Sequence, residues 1–325
     1  MKISILIPCL NEELTIAQVV AGFRKALPGA QVYVFDNASD DNTIEKARQS
    51  GALVRTVHNR GKGQVVTAMF REVESDFYVM VDGDDTYPPE KVEELLASVI
   101  SGECDMAVGK RIPAPGSKPF PLFHRFGNRI ITRIINAVFK SQISDVFSGY
   151  RAFNHRIIHS LPLLSKGFDI ETEMTLQALD KGFTIAEIDV PYRERPSGSQ
   201  SKLNTYWDGL LVFKTILAII KDYKPLAFFC TFSLICFLFS ILFGSVVINE
   251  YFHTHGVRHV STAVLATGLM ILSLLSLTTG LILDSTKRHF AELHALLINQ
   301  NSKSQRQDSE FEPAEELLRR GIRKN

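Results

Sequence analysis

The sequence lacks the marks of several common protein classes. Over 325 residues the formal net charge is only +1 and 22% of positions are charged, so the basic excess that neutralises a nucleic-acid backbone is missing. Nucleic acid is therefore not an expected partner. The four cysteines, Cys9, Cys104, Cys230 and Cys236, show no metal-ligand spacing, and two of them fall in an apolar run. They read as buried thiols in a reducing compartment. No P-loop (GxxxxGK followed by Ser or Thr) and no repeat of solenoid period occurs. A signal peptide does not fit the opening either, because KISILIPCL has the length of a strand, is broken by Pro8 and runs into NEE. The N-terminal part is expected to stay in the cytosol, where the sequon match at Asn37-Ala-Ser39 has no meaning.

What is present divides the chain into two kinds of sequence. The runs Leu226 to Ile248 and Val260 to Leu283 contain no charged residue, and each exceeds the roughly 20 residues a helix needs to cross a bilayer. They predict a two-helix transmembrane hairpin within residues 225–284, with spans at 226–248 and 260–283. Lys221 and Lys224 precede the first span and Lys287 and Arg288 follow the second, while the connecting loop carries Arg258 against Glu250. The positive-inside rule then places both outer flanks in the cytoplasm. Ahead of the first span, residues 203–224 set Leu210, Leu211, Phe213, Leu217 and Ile220 along one side, with Tyr206 and Trp207 suited to the headgroup level. This segment reads as an amphipathic helix at the membrane surface, an ordinary helix packed on the soluble domain being the alternative. The polar tail, 285–325, is expected to fray apart from a short helix around AEELLRR.

Residues 1–202 alternate strands and helices. KISILIPCL, AQVYVFD, ALVRTVH, DFYVMVD and CDMAVGK read as strands, with helical patterns between them, which argues for a mostly parallel sheet covered on both faces. Polar clusters follow the strands: LNEE, DNASDD, NRGKGQ and DGDD. In such a sheet they converge on the edge where ligands bind. Asp82, Asp84 and Asp85 stand around Gly83 directly after an apolar strand. Carboxylates so close repel one another unless a cation sits among them, and a divalent ion holding a polyphosphate is the candidate, an exposed acidic turn the alternative. NRGKGQ offers backbone N–H groups at a helix start, together with Arg60 and Lys62, which suits phosphates or the rim of a base. Asp36 and Asn37 can accept hydrogen bonds from base N–H groups, and each also has a turn or cap reading.

These residues, taken in order, resemble the GT-A fold glycosyltransferases of family 2, in particular the bacterial polyprenyl-phosphate glycosyltransferases related to dolichol-phosphate mannose synthase. IPCLNEE resembles the family's opening IPxxNEE, DNASDDNT its DDxSxDxT, and VDGDDTYPPE its DxD segment with the following PPE. SGYRAF, after Asp145, is similar to the motif near the acceptor site, and YRERPSGSQSKL to the basic loop before the membrane-surface helices. The resemblance spans roughly residues 1 to 215 and implies a Rossmann-like GT-A domain over 1–202. It further implies that Pro8, Asn11, Glu12, Asp82 and Gly83 hold the nucleotide together with Asp36, Asn37 and Lys62, and that Asp84, with Asp82, binds Mg²⁺ or Mn²⁺. Two positions depart from the family pattern: Asn37 replaces the second Asp of DDxS, and Thr86 replaces the glutamine of DxDLQ. An amide oxygen suffices for the single N–H of uracil, so a UDP-sugar is favoured over a GDP-sugar.

The function implied is metal-dependent, inverting transfer of one sugar from a nucleotide-sugar to a polyprenyl (undecaprenyl-type) phosphate at the cytoplasmic face of an inner membrane. A lipid phosphate is already ionised and needs no base, whereas a hydroxyl acceptor does. Asp145 is the candidate base, or else orients Arg151 or the sugar, and Arg151 is grouped with Asp84 and Asp145 as catalytic. Arg193, Arg195 and Lys202 in the basic loop, with Arg125 and Arg129 one turn apart, are the candidate grip on the acceptor phosphate. Simple attraction to anionic lipid is the alternative. Self-association through the spans is left open. A family member acting on a saccharide or polymer would be expected to carry QxxRW, which does not occur, and a non-catalytic scaffold should lack the Asp82 and Asp84 pair, which is present.

Overall fold

The computed structural model describes residues 1–113, 122–163, 170–195, 217–256 and 258–322, with the backbone alone at 122–126, 291 and 294–322. The chain forms two compact units, Met1–Ile216 and Leu217–Asn325.

In the first unit, seven strands form one sheet: β1 (Ile3–Cys9), β2 (Gln31–Asp36), β3 (Leu53–Thr56), β4 (Phe77–Met80), β5 (Met106–Pro113), β6 (Arg151–Asn154) and β7 (Ile185–Tyr192), in the order β3-β2-β1-β4-β6-β5-β7. All described pairings are parallel except those of β6, which runs antiparallel to β4 and β5. The helices are α1 (Ile16–Ala26), α2 (Thr43–Gln49), α3 (Lys62–Glu72), α4 (Val92–Ile100), α5 (Leu122–Phe139), α6 (His155–Ser160) and α7 (Ile170–Asp180), with a 3-10 turn at Pro89–Lys91.

The strand period of two explains how both faces are filled. β1 sends Ile5 and Ile7 into a cluster with Val20 and Phe23 of α1 and Leu95 and Val99 of α4. Leu6, between them, points the other way, into a cluster with Val66 and Met69 of α3, Ile157 of α6 and Met174 of α7. Pro8 is tolerated near the sheet's centre because the β1–β4 ladder ends at Leu6↔Met80 while β1–β2 runs on to Cys9↔Asp36. The strands thus end at staggered heights. Cys9, Cys104 and Cys236 are buried and all four cysteines are free thiols.

The second unit contains helices α8 (Pro225–Thr254) and α9 (Val260–Ile322). Both are long and apolar enough, over Pro225–Thr254 and Val260–Phe290, to cross a membrane by length and composition. A polar seam joins them: Ser233 Oγ donates to Ser273 O (2.8 Å), Ser273 Oγ to Ser233 O (2.9 Å) and Ser240 Oγ to Ala266 O (2.7 Å). Small residues there allow close approach, while Leu234, Leu238, Leu242, Leu274 and Ile282 point outward. Two expectations need revision or fall outside this description. Residues 217–223 are helical, with Ile219 buried, but most of the expected surface helix, including Trp207, lies outside the described residues. The tail does not fray into a short helix, since α9 runs on to Ile322. Beyond Leu283 the chain has one proline, Pro313, and no glycine before Gly321, so helix-favouring residues continue the span's register.

Candidate active site

At the end of β4 the ladder closes with Val81 N–H on Leu6 O (3.1 Å), and the chain then turns through Asp82, Gly83, Asp84 and Asp85. Asp85 adopts φ 59°, a left-handed conformation that Asp tolerates in a tight turn. Asp84 is only 2% exposed. Its Oδ1 accepts from Thr86 Oγ1 (2.6 Å) and Thr86 N–H (3.2 Å), and its Oδ2 pairs with Arg195 Nη2 (2.6 Å). Thr86, the departure from the family's glutamine, therefore fixes the orientation of Asp84. Asp82 Oδ1 pairs with Lys62 Nζ at 2.6 Å. Gly83 O accepts from Thr15 Oγ1 (2.6 Å), which ties the turn to the start of α1.

The electrostatics follow from this crowding. Burial raises the Asp84 carboxyl above its ordinary range, the neighbouring Asp82 charge raises it further, and Arg195 opposes both. Lys62, the first residue of α3, is held between Asp82 and Glu171 of α7, and the two carboxylates keep it protonated despite its burial. Glu12, Asp82 and Asp84 all act on Arg195, raising it against burial. Asp82 and Asp84 are hard oxygen donors of the kind a divalent cation takes, and the cations drawn to them show that positive charge is stabilised here.

The LNEE and DNASDD clusters are stitched together rather than left open. Asn11, at φ 53°, donates its N–H to Ser39 Oγ (2.9 Å) and accepts Asp40 N–H at its Oδ1 (2.9 Å). Glu12 N–H donates to Thr43 Oγ1 (2.9 Å). Asp36 and Asn37, expected at the base, make their side-chain hydrogen bonds to neighbouring loops. Asp36 is fully buried, with Oδ2 accepting Ser39 N–H (3.0 Å) and Oδ1 accepting Ser39 Oγ–H. Asn37 is 3% exposed and gives its amide to Val57 O (3.1 Å) and Asn59 O (2.8 Å), while its Oδ1 accepts Gly61 N–H (2.7 Å). Both side chains fold loops. The Asn37 oxygen expected for uracil thus already accepts one hydrogen bond, from Gly61 N–H.

The acceptor-side candidates separate into three groups. Asp145 is 4% exposed and grips Arg111 in a fork, Arg111 Nε to Oδ2 at 2.7 Å and Nη2 to Oδ1 at 2.9 Å, and it also accepts Arg111 N–H (3.2 Å). Burial works to raise its carboxyl, but the bonds and charge of Arg111 prevail and hold it below the usual range. Such a group is a poor proton acceptor. Arg151 is fully buried and donates to Ser148 O (2.9 Å), Val146 O (2.8 Å) and Thr175 Oγ1 (2.9 Å). Through these bonds it shapes the 146–148 loop. Arg193 pairs with Glu90 (3.5 Å) and gives its N–H to Thr86 O (2.9 Å), so it braces the carboxylate turn. Arg195 reaches Asp84, and Arg129 is exposed on α5. Lys202 and the Arg125 side chain lie outside the described residues.

Three contributors had no sequence signal strong enough to single them out. Glu171 opens the Lys62 relay from α7, Arg111 anchors Asp145 from the end of β5, and Gly149 lies so close to Asp82 that a Cβ there would sit 2.3 Å from its Oδ2. Gly149 belongs to the quoted SGYRAF motif, and its absence of a side chain was the available clue.

Residues 4–161 match the model described as glycosyl transferase family 2. The chain is similar to glycosyltransferase AglJ of Haloferax volcanii, 33% identical over 70% of this chain and 75% of the relative. It is similar also to a dolichyl-phosphate hexose transferase of the same organism, 30% identical over 64% of this chain and 90% of the relative. Among solved structures, glucosyl-3-phosphoglycerate synthase from Mycobacterium tuberculosis, in complex with Mn²⁺, uridine diphosphate and glucosyl-3-phosphoglycerate, superposes with a TM-score of 0.56 at 22% identity, covering 69% of this chain and 80% of that one. The shared architecture is the GT-A fold. The chain belongs to glycosyl transferase family 2, and it is a glycosyltransferase.

Proposed function

We propose that this glycosyltransferase moves one sugar, with inversion, from a nucleotide-sugar to a polyprenyl phosphate at the cytoplasmic face of an inner membrane. The observation that carries the reading is the buried Asp82–Asp84 turn with Lys62 and Arg195 converging on it, in a chain that also holds two helices of membrane-spanning length. The names of relatives such as the dolichyl-phosphate hexose transferase support the acceptor class. A UDP-sugar is the first donor to test, now on the strength of the solved neighbour's ligand rather than of Asn37, with a GDP-sugar second.

The residues divide the work. Asp84, with Asp82, would hold Mg²⁺ or Mn²⁺, which supplies positive charge for the departing diphosphate. Lys62 adds a fixed cation whose position Glu171 maintains. Arg195 has a guanidinium that matches a phosphate as well as it matches Asp84, so it can exchange one for the other as ligands arrive. Asp145, held ionised by Arg111, orients that arginine, and the acceptor phosphate needs no base. We assign residues 1–202 to the catalytic domain, 203–224 to a membrane-surface helix, 225–284 to the spans and 285–325 to a cytoplasmic tail, with both termini cytoplasmic.

The test is to supply membranes, Mg²⁺ and a panel of labelled nucleotide-sugars and ask which label enters the organic phase. Asp84→Ala and an excess of chelator should each abolish transfer, and wild-type rates under chelation would defeat the metal assignment. Lys202→Ala should raise the apparent KM for the lipid while leaving the nucleotide-sugar KM near wild type, and Arg195→Ala, which also removes the partner of Asp84, should raise both. Unchanged rates in the double variant at limiting lipid would rule out the phosphate grip.

A further inference from the structure

At the opposite end of β4 from the carboxylate turn lies a second group of potential ligands, Glu74, His155 and His159. Each offers one ligand atom, and these atoms all lie within 4.8 Å of one another. We propose that they form a surface site for a transition-metal ion of the Zn²⁺, Co²⁺ or Ni²⁺ class, distinct from any ion held by Asp82 and Asp84.

The geometry is built by α6 and the loop after α3. Asn154 caps α6 by accepting Ile157 N–H at 2.9 Å, and Ile157 and Ile158 are buried in the core beneath it. That anchoring fixes which face of the short helix is outward. His155 and His159, four residues apart, therefore stack on the outer face with ring centroids 4.2 Å apart. His155 N–H also bonds to Asp76 O (3.0 Å), which brings the start of α6 beside the loop that carries Glu74. Glu74 divides its carboxylate between the rings, with Oε1 3.4 Å from His155 Nδ1 and Oε2 3.7 Å from His159 Nε2.

Those two separations, one to each carboxylate oxygen, approach the spacing of neighbouring ligands in a coordination polyhedron. Ligands about 2.0–2.1 Å from a tetrahedral ion stand about 3.4 Å from one another. Two imidazoles and one carboxylate form a donor set that selects first-row transition ions over Mg²⁺, and water can complete the shell at this exposed position. Ser75 O lies 3.1 Å from His155 Nδ1 and shares its proton in the metal-free protein. Metal binding at Nδ1 replaces that proton. An ion so held would tie α6 to the α3–β4 loop, at the sheet edge away from the transfer chemistry, so the site is structural in character.

The test uses tag-free, full-length protein in detergent, with excess Mg²⁺ present to occupy the Asp82–Asp84 turn. Zn²⁺ is titrated by calorimetry and Co²⁺ by visible absorption. The expected result is one saturable Zn²⁺ per chain at this site and Co²⁺ bands of low-coordinate type, with affinity falling at least about tenfold in each of His155→Ala, His159→Ala and Glu74→Gln. All three side chains are exposed, so the variants should keep the wild-type melting temperature. Absence of saturable binding, or binding that survives in His155→Ala/His159→Ala on the histidines of the 253–259 loop, would overturn the proposal.

Discussion

Gly149→Ala isolates the placement of Asp82 with a single methyl group. A Cβ at this position would stand 2.3 Å from Asp82 Oδ2, 2.8 Å from Cγ and 2.9 Å from Oδ1, where ordinary contact begins at 3.4 Å. The carboxylate must retreat by about 1 Å, because the methyl is fixed to a backbone that Tyr87 Oη holds through Gly149 N–H (3.0 Å). A retreat of that size disturbs the 2.6 Å contact with Lys62. Misplacement by about 1 Å in a catalytic constellation costs about 100-fold in rate, which is about 2.7 kcal/mol of transition-state stabilisation. The overpacking also lowers stability by about 1–3 kcal/mol, so melting must be followed in parallel. Gly29→Ala, where a Cβ meets nothing within 4 Å, is the matched control and should keep wild-type kcat/KM. Label transfer into lipid, measured at saturating and limiting nucleotide-sugar, reads the effect. A folded Gly149→Ala protein with wild-type kcat/KM would refute the assignment of Asp82 to the site.

Other perturbations test the neighbouring parts. Asn37→Asp removes the amide hydrogens that Val57 O and Asn59 O accept, so it should lower stability by about 1–3 kcal/mol and leave donor preference unchanged; a shift from UDP- to GDP-sugars in competition assays would restore the base-reading role. Glu171→Ala leaves buried Lys62 with Asp82 as its remaining carboxylate partner among the described residues, and should cost up to about 3–5 kcal/mol while raising the nucleotide-sugar KM; a variant unchanged in both melting and KM would contradict the relay. The folded Asp145 carboxyl is depressed, so its pairing with Arg111 contributes stability above about pH 4 that is lost as pH falls through the folded value. Acid unfolding curves of wild type and Asp145→Asn should therefore converge as pH falls below the folded value, and loss of the acid-side limb of the rate profile in the variant would show that Asp145 accepts a proton after all.

The parts of this account that the sequence disclosed are those where chemistry is concentrated in consecutive residues. Asp82, Asp84 and Asp85 come just after the apolar run that forms β4, so both position and charge could be read together. The two long apolar helices were legible for the same reason, as uninterrupted composition. For Asn37 and Asp36 the sequence could not show the loop contacts, because a polar residue at a strand end meets the same pattern whether it faces a ligand or the next loop. Glu171 and Arg111 were invisible because each matters through a partner distant in sequence. β6 and β7 were not read as strands, and the antiparallel direction of β6 cannot be inferred from strand–helix alternation. The helical tail shows the converse case, a polar stretch whose propensity outweighed its lack of an apolar face.

The central claim is that a single sugar passes from a nucleotide to a polyprenyl phosphate. Its most direct test supplies purified protein with undecaprenyl phosphate, a divalent ion and the preferred nucleotide-sugar, then resolves the organic-phase product by mass and by the configuration at its anomeric carbon. The account predicts one hexose joined to a lipid that keeps a single phosphate, with configuration inverted relative to the donor and one nucleoside diphosphate released per product. Label confined to water-soluble saccharide, or a lipid product carrying two phosphates, would contradict it.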